Sequence, residues 1–171
     1  MSHVAERYSR ATSSSHLVVE DRPGDADVLI AAGWAGQGVS PIALTLWRMK
    51  HSGRPNGFHG VVNELNDWLR VEARKRRVRD AGAKTKAVVE KTVYWWLNNT
   101  CKHCEGRGHP NFAETPVMDE SQDCPECQGE GKLPLSDLIN PAHLDAANLV
   151  VAQIERISSE IFFNMQVSLK G

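Results

Sequence analysis

Apolar residues recur at steps of three and four along much of the chain, which is the spacing of one face of an α-helix. The clearest stripe runs from Phe58 to Leu69 and predicts a helix that begins near Gly57. We expect this helix to continue through the basic stretch that follows and to end near Gly82. The apolar positions of the stripe are Phe58, Val61, Val62, Leu65, Trp68 and Leu69.

The last part of the chain carries a longer stripe. Asn140 and Pro141 predict a helix start, because an Asn cap followed by Pro in the first turn is favoured there. The amphipathic helix that follows should run for about six turns and either join the core or pair with the Phe58 helix, with a groove for a partner as the alternative. Its apolar positions are Leu144, Ala147, Val151, Ile154, Ile157, Ile161, Phe162 and Met165.

Two shorter helices are predicted before the Phe58 stripe. Residues 25–35 read DADVLIAAGWA, a short apolar segment that a Gly-rich turn follows. Ser40 and Pro41 then predict the start of a second helix. This helix should end near residues 52–57, where Gly and Pro cluster. Such a pair is loosely the plan of a helix-turn-helix.

A further helix is predicted from about Lys84 to Asn98, and it leads directly to the first cysteine. We expect related faces of this helix to carry Ala87, Val88, Lys91, Tyr94 and Trp95, with Trp96 beside them. No series of strands is predicted. The expected fold is mainly α: an antiparallel helical domain with a long C-terminal helix, interrupted by a pair of cysteine-containing segments, the knuckles, at residues 101–108 and 124–131.

Composition fits one globular domain with a tail. The chain has 171 residues, 41% of them hydrophobic and 24% charged, with a formal net charge of -1. We expect residues 1–24, rich in Ser, Arg and His, to be a flexible arm, and residues 25–171 to form the helical domain with an insertion at 101–131 that contains all four cysteines. No apolar run approaches the ~18 residues of a membrane span. We therefore expect a cytoplasmic protein without a membrane partner.

The cysteines form two pairs with the same pattern. The segments CKHCEGRG (residues 101–108) and CPECQGEG (residues 124–131) both fit C-x-x-C-x-G-x-G. Two intervening residues let both sulfurs of a pair face one ion, and the glycines permit the tight, positive-φ backbone whose amides can approach the thiolates. The sequence predicts one structural zinc ion, with all four positions closed by thiolates. The predicted ligands are Cys101, Cys104, Cys124 and Cys127.

Other uses of the cysteines are less consistent with this pattern. A redox dithiol needs a single pair on a βαβ unit, and iron–sulfur clusters use different spacings. His103 and His109 lie near the first pair, where a histidine could replace one sulfur. Because four cysteines are present, we expect both histidines to be exposed or to lie beside the ligands rather than on the metal. The acidic, Pro-containing stretch at residues 109–123 should be an exposed loop.

Basic residues concentrate at residues 70–86, against only two acidic ones. On one helix Arg70, Arg74 and Arg77 would lie on the same side, spaced to follow a phosphate backbone. We predict that this stretch binds nucleic acid; the alternative is a solvated helix end, where cations also favour the helix dipole. The predicted contacts are Arg70, Arg74, Lys75, Arg76, Arg77, Arg79, Lys84 and Lys86.

The order of these motifs resembles the Q antitermination proteins of lambdoid phages. The similar segments are ADVLIAAGWAGQGVSPIAL (residues 26–44), GAKTKAVVEKTVYWWL leading into CKHCEGRGH, then CPECQGEGK and a final amphipathic helix. The resemblance implies a protein, not an enzyme, that binds a DNA element near a promoter. It also implies that the protein engages RNA polymerase near the exit of the nascent RNA and lets it pass terminators, in a bacterial or phage-infected cell.

One departure from that family concerns DNA contact. Only KLPLSDLIN separates the second knuckle from the last helix, whereas the family has a longer helical stretch assigned to DNA. The family's DNA-contact residues are therefore not transferred. The knuckle edge, consisting of Lys102, Arg107 and Lys132, joins the basic run as a predicted contact with DNA.

Two other functions remain open from the sequence. The knuckles are also similar to those of J-domain co-chaperones, which implies a zinc module that binds proteins, although the HPD signature is absent and only two of four repeats are present. A DNA-binding repressor that uses residues 25–51 is the second. An enzyme is the least expected, because a closed metal site and no set of nucleophile and base are apparent.

Overall fold

A computed structural model describes residues 30–35, 38–78, 82–111 and 118–169, without the side chain of residue 83. The predicted arm at residues 1–24 lies outside this part. The fold is mainly α, as predicted, and the described residues contain no strand. The four main helices, which follow helical residues 30–35, are α1 (Ala43–Ser52), α2 (Phe58–Arg76), α3 (Thr85–Asn98) and α4 (Leu144–Ser168).

The long helix α4 is the centre of the core, because it packs against α1, α2 and α3. This confirms core packing for the C-terminal stripe. Each large apolar side chain that it buries contributes about 1.5–3 kcal/mol. The buried residues of α4 are Ala146, Ala147, Val150, Ile154, Ile157, Ile161 and Met165. The predicted stripe of α2 meets them with Val61, Val62, Leu65 and Leu69, all buried.

The helix starts agree with the sequence at one place and differ at another. Asn140 Oδ1 accepts a hydrogen bond from the Ala142 amide at 2.9 Å, as predicted, and one 3-10 turn then leads into α4. Before α1, however, the Ser40 carbonyl rather than its hydroxyl accepts a bond from the Ala43 amide at 3.0 Å. Consequently α1 begins at Ala43 rather than at Pro41.

The helix α2 ends at Arg76 and not near Gly82, so this part of the prediction is wrong. Arg77 adopts a left-handed conformation with a φ of 54°. Its amide donates to the Arg74 carbonyl, and the Val78 amide donates to the Ala73 carbonyl at 3.0 Å. This is a Schellman motif, whose hydrophobic contact is made here by Val78, half-buried against the core above buried Ala73.

Only part of the set predicted for α3 faces the core. Val88 and Trp96 are buried, whereas Ala87, Lys91 and Tyr94 face solvent. The full core side of α3 carries Thr85, Val88, Val89, Thr92, Val93 and Trp96. The polar threonines hid this face in the sequence; the Thr92 hydroxyl can be buried because it donates to the Val88 carbonyl at 2.8 Å.

The connection between α2 and α3 is short, which places these two packed helices in opposite directions. The basic C-terminus of α2 therefore lies near the start of α3, and the knuckles follow the other end of α3. None of the helices in the described ranges is both long and apolar enough to cross a membrane.

Candidate metal centre

Four cysteine sulfurs meet at the far end of α3. The Sγ atoms lie within 4.8 Å of one another, and all four residues are buried. Cys101 Sγ lies 3.8 Å from Cys124 Sγ, and Cys104 Sγ lies 3.6 Å from Cys127 Sγ. These distances are far longer than the about 2.05 Å of a disulfide bond, and the four thiols are free. The group could therefore hold one metal ion, as the sequence predicted.

The two knuckles, residues 101–108 and 124–131, hold each other through reciprocal backbone bonds. The Cys101 amide donates to the Gly131 carbonyl at 2.9 Å. The Cys124 amide donates to the Gly108 carbonyl at 2.8 Å. The first residue of each knuckle thus donates a hydrogen bond to the last residue of the other, which gives the centre a local twofold arrangement.

The last glycine of each knuckle also binds a sulfur. The Gly108 amide donates to Cys104 Sγ at 3.3 Å, and the Gly131 amide donates to Cys127 Sγ at 3.2 Å. Amide donors stabilise a thiolate, which is the form that binds metals. The C-x-x-C-x-G-x-G spacing therefore supplies both the ligand and its donor.

The backbone at these glycines excludes a side chain. Gly108 has a φ of +86°, and a Cβ there would lie 2.3 Å from the Gly129 carbonyl oxygen. Gly131 has a φ of +69°, and its Cβ would lie 2.4 Å from the Gly106 carbonyl oxygen. The predicted positive φ is confirmed, and close contact between the two backbones is a second reason for glycine.

Burial opposes the ionisation of both Cys104 and Cys127. At Cys104, bonds from the Gly108 amide and from the neighbouring thiols outweigh burial and lower the pKa. Burial and the bond with Cys104 raise the pKa of Cys127. Four thiolates this close repel one another, so their joint ionisation requires a cation among them.

Three contacts attach the knuckles to the helices. The Leu133 amide donates to the Asn99 carbonyl at 2.8 Å, and Trp95 Nε1 donates to the Leu133 carbonyl at 2.8 Å. Thr100 and Lys132 form an antiparallel bridge. The chain therefore leaves α3 and returns from the metal centre as a short paired segment.

Lys50 fixes the same junction from α1, and sequence reasoning missed it. Its ammonium donates to the Trp96 and Leu97 carbonyls and to Asn99 Oδ1, and it lies 4.9 Å from the centre of the Trp96 ring. Burial, with a contribution from Lys132, lowers the pKa of Lys50 to about 8. A cation at the end of α3 also suits the helix dipole.

The predicted basic run lies at the opposite end of α3. Arg70, Arg74 and Arg77 are exposed, but Arg77 has left the helix and does not continue the side formed by the other two. Glu72 pairs with Arg76 at 2.7 Å and with Lys75 at 3.6 Å, and the bond from Arg76 lowers the pKa of Glu72. Arg79 lies outside the described residues. We call the remaining exposed set the basic end: Arg70, Arg74, Lys75, Arg76, Arg77, Lys84 and Lys86.

The knuckle edge forms a second, separate group. Lys102, Arg107 and Lys132 are exposed, and Arg107 is held by the Cys104 carbonyl at 3.0 Å and by Glu105 at 3.3 Å. A helix of 14 residues, about 21 Å long, lies between this edge and the basic end. The predicted nucleic-acid contacts are therefore two groups, not one surface.

The loop between the knuckles is only partly as expected. Asp119 is buried at 6% exposure, and its Oδ1 accepts bonds from the Ser121 amide and hydroxyl. The Asp119 amide donates to the Pro110 carbonyl at 2.8 Å. This flank is packed rather than fully exposed, while residues 112–117 lie outside the described part.

The proposed helix-turn-helix region presents packing residues. In α1, Leu46 and Trp47 are buried and Leu44 is partly buried against the core. The corresponding first helix is described only over residues 30–35.

Comparisons with protein-family models, with curated proteins and with solved structures find no match to this chain. The chemistry of the chain follows from its own residues. Four thiols could hold one metal ion, and two groups of exposed cations lie at opposite ends of α3.

Proposed function

We propose that the four cysteines bind one zinc ion in a structural role. Zinc–thiolate bonds of about 2.3 Å at tetrahedral angles place sulfurs about 3.8 Å apart. Two of the six sulfur–sulfur separations, 3.8 and 3.6 Å, are close to that value, and all six are within 4.8 Å. Four thiolates leave no position for water or substrate, so the ion would stabilise the knuckles and perform no catalysis.

We further propose that the protein is a transcription antitermination factor that acts in the cytoplasm of a bacterial or phage-infected cell. It would bind a DNA element near a promoter and remain on RNA polymerase beside the nascent RNA. The observation that carries this proposal is the pairing of two C-x-x-C-x-G-x-G knuckles on one site in a helical chain. It supports the resemblance to the Q antitermination proteins.

The position of the cations supports a division of roles. The basic end is the larger group, with Arg74, Lys75, Arg76 and Arg77 consecutive in the chain and exposed. Phosphate contacts need only cations within reach, so this end would bind DNA. The metal centre, about 21 Å away along α3, would be left to meet polymerase or RNA.

Transcription through a terminator tests the proposed function directly. Purified RNA polymerase would transcribe a template that carries the chain's own promoter region and a terminator, with and without the zinc-loaded protein. We expect read-through to increase only when the protein is present. Unchanged read-through on that template would contradict the proposal.

Matched triple variants test the role of the basic end. Replacing Arg74, Arg76 and Arg77 with Ala should weaken duplex DNA binding and flatten its salt dependence, because phosphate contacts release counterions. The control replaces Arg48, Arg54 and Arg156, which are exposed elsewhere, and changes the net charge equally. Equal effects of both triples on DNA affinity would remove the basic end from the proposal.

A further inference from the structure

An open cleft of about 660 Å³ lies between the last turn of α3 and the first knuckle. It is distinct from the basic end, which lies at the other end of the same helix. The side chains that matter for its chemistry are those of Tyr94, Leu97, Asn98, Thr100, Lys102 and Leu133.

Tyr94 gives this cleft an exposed aromatic wall. Its side chain is on the solvent side of α3 and the residue is 60% exposed, so the core does not account for it. An exposed ring is a stacking surface, and every nucleobase has a π-face that can occupy it. One base stacked on an aromatic residue typically raises affinity about 5- to 150-fold.

The other walls supply the polar partners of a nucleotide. Lys102 is an exposed cation within reach of a phosphate, and Thr100 carries a hydroxyl. Asn98 Nδ2 donates to the Tyr94 carbonyl at 2.9 Å, so the side-chain oxygen of Asn98 is left as an acceptor for a base edge. Leu97 and Leu133 form an apolar floor.

Among the described residues that line the cleft, the acidic one does not oppose a phosphate strongly. Glu105 lies 3.3 Å from Arg107, which offsets its charge. The aromatic wall, the Lys102 ammonium and the polar edge together match one nucleotide better than they match an extended anionic surface.

We propose that this cleft binds an unpaired nucleotide of single-stranded nucleic acid, with the base stacked on Tyr94 and a phosphate on Lys102. A base in a duplex is already stacked and paired, so duplex DNA would not enter. Lys102 lies between the ligands Cys101 and Cys104, so the metal centre fixes its position. The cleft does not depend on antitermination, since it would bind single strands whether or not the protein acts on polymerase.

Fluorescence anisotropy of the full, zinc-loaded chain with short labelled oligonucleotides tests this proposal. The probes are oligouridylate, oligothymidylate and a mixed-sequence duplex. We expect both single strands to bind the wild type, and Tyr94→Ala to weaken them by about 5-fold or more while leaving the duplex unchanged. Tyr94→Phe should retain binding, because its ring still stacks. Tighter binding of one of the two single strands identifies RNA or DNA as the preferred source.

Two further variants separate stacking from general effects. Phe163→Ala removes another exposed aromatic, 64% exposed on α4, and should not change affinity. Lys102→Ala should weaken single strands and reduce the salt dependence of their binding. Circular dichroism of each variant shows whether it is folded; Tyr94 is a surface residue, so we expect all four to fold.

The outcomes are distinct from those for the proposed function. Equal single-strand affinity of Tyr94→Ala and wild type overturns the cleft proposal, as does an equal loss in Phe163→Ala. Failure of the wild type to bind either single strand also overturns the cleft proposal, and it would indicate that the ligand of the cleft is a protein. The protein could also bind single strands in a Tyr94-dependent way and yet give no read-through in the transcription assay. That result supports the cleft proposal and contradicts only the antitermination proposal.

Discussion

Where the two knuckles cross, each places a glycine against the other's backbone, and this contact is specific to those positions. Gly108 and Gly131 combine a positive φ with a carbonyl oxygen that would lie less than 3 Å from an added Cβ, whereas Gly60 on α2 has nothing within 4 Å. The same Gly→Ala change should therefore lower the stability of the fold in the knuckles and raise it in α2.

We expect Gly108→Ala and Gly131→Ala each to lower the free energy of unfolding by roughly 1–3 kcal/mol, because left-handed strain and a backbone clash must both be relieved. They should also weaken metal affinity in competition with a chelator. Gly60→Ala should instead raise stability by roughly 0.5 kcal/mol, since Ala is the better helix former. Urea unfolding of the three variants measures both signs, and a neutral Gly108→Ala would be inconsistent with the crossing described.

Lys50 makes a prediction about pH. Its pKa falls from an ordinary 10.5 to about 8 on folding. Between these values the unfolded chain binds more protons than the folded one, so stability rises with pH through that window. We expect unfolding experiments to show this rise for the wild type relative to Lys50→Met, which lacks the titrating group. Parallel curves for the two proteins between pH 8 and 10.5 would contradict the assigned burial of the ammonium.

At the level of elements, the end of α2 shows what a helical pattern does and does not predict. The stripe from Phe58 to Leu69 follows from spacing alone, because every apolar position faces one core. The end of the helix does not follow, because a left-handed C-terminal residue is usually glycine and here it is Arg77. What ends α2 is the contact of Val78 with the core, a tertiary interaction that the local sequence does not reveal.

Substitutions at that end test the Schellman motif. Arg77→Gly should raise the free energy of unfolding by roughly 0.5 kcal/mol or more, because glycine adopts a φ of 54° without steric cost. Arg74→Gly, the same change inside α2, should lower it by about 1 kcal/mol. Urea denaturation of both proteins is sufficient, and a loss of stability in Arg77→Gly would mean that α2 does not end there.

The metal centre was predictable to a similar degree. The repeated C-x-x-C-x-G-x-G spacing identifies the four ligands and their flanking glycines, since these are local features of the chain. It does not reveal that each knuckle binds the other's last glycine, nor that Lys50 reaches the junction from a helix 46 residues away in sequence. The full buried face of α3 does not follow from the sequence either, because Thr92 resembles a surface residue until its hydroxyl is paired with the Val88 carbonyl.

For the whole molecule, the metal centre and the helical core are separate clusters joined by a narrow segment. The cysteines pack among themselves and with Leu133, while the main cluster is formed by α1 to α4 and helical residues 30–35. The centre therefore maintains the geometry of the knuckle edge, and the core maintains that of the basic end.

Removal of the metal should act on only one of these clusters. With a strong chelator, we expect amide hydrogen exchange at Gly108 and Gly131 to lose its protection, because the ion that would join the sulfurs of the two knuckles is gone. The helices should persist in circular dichroism, and duplex binding by the basic end should be retained. Loss of most helical signal on chelation would show that the metal supports the whole fold instead.

The most direct measurement is the metal content of the purified, natively folded chain, by elemental analysis, alongside Cys101→Ser and Cys124→Ser. A site of four thiolates predicts one zinc ion per chain in the wild type and a marked loss in each variant, since one ligand from either knuckle is removed. Zinc retained at one per chain in both variants, iron in its place, or disulfides in place of metal would contradict a closed zinc site formed by these four cysteines.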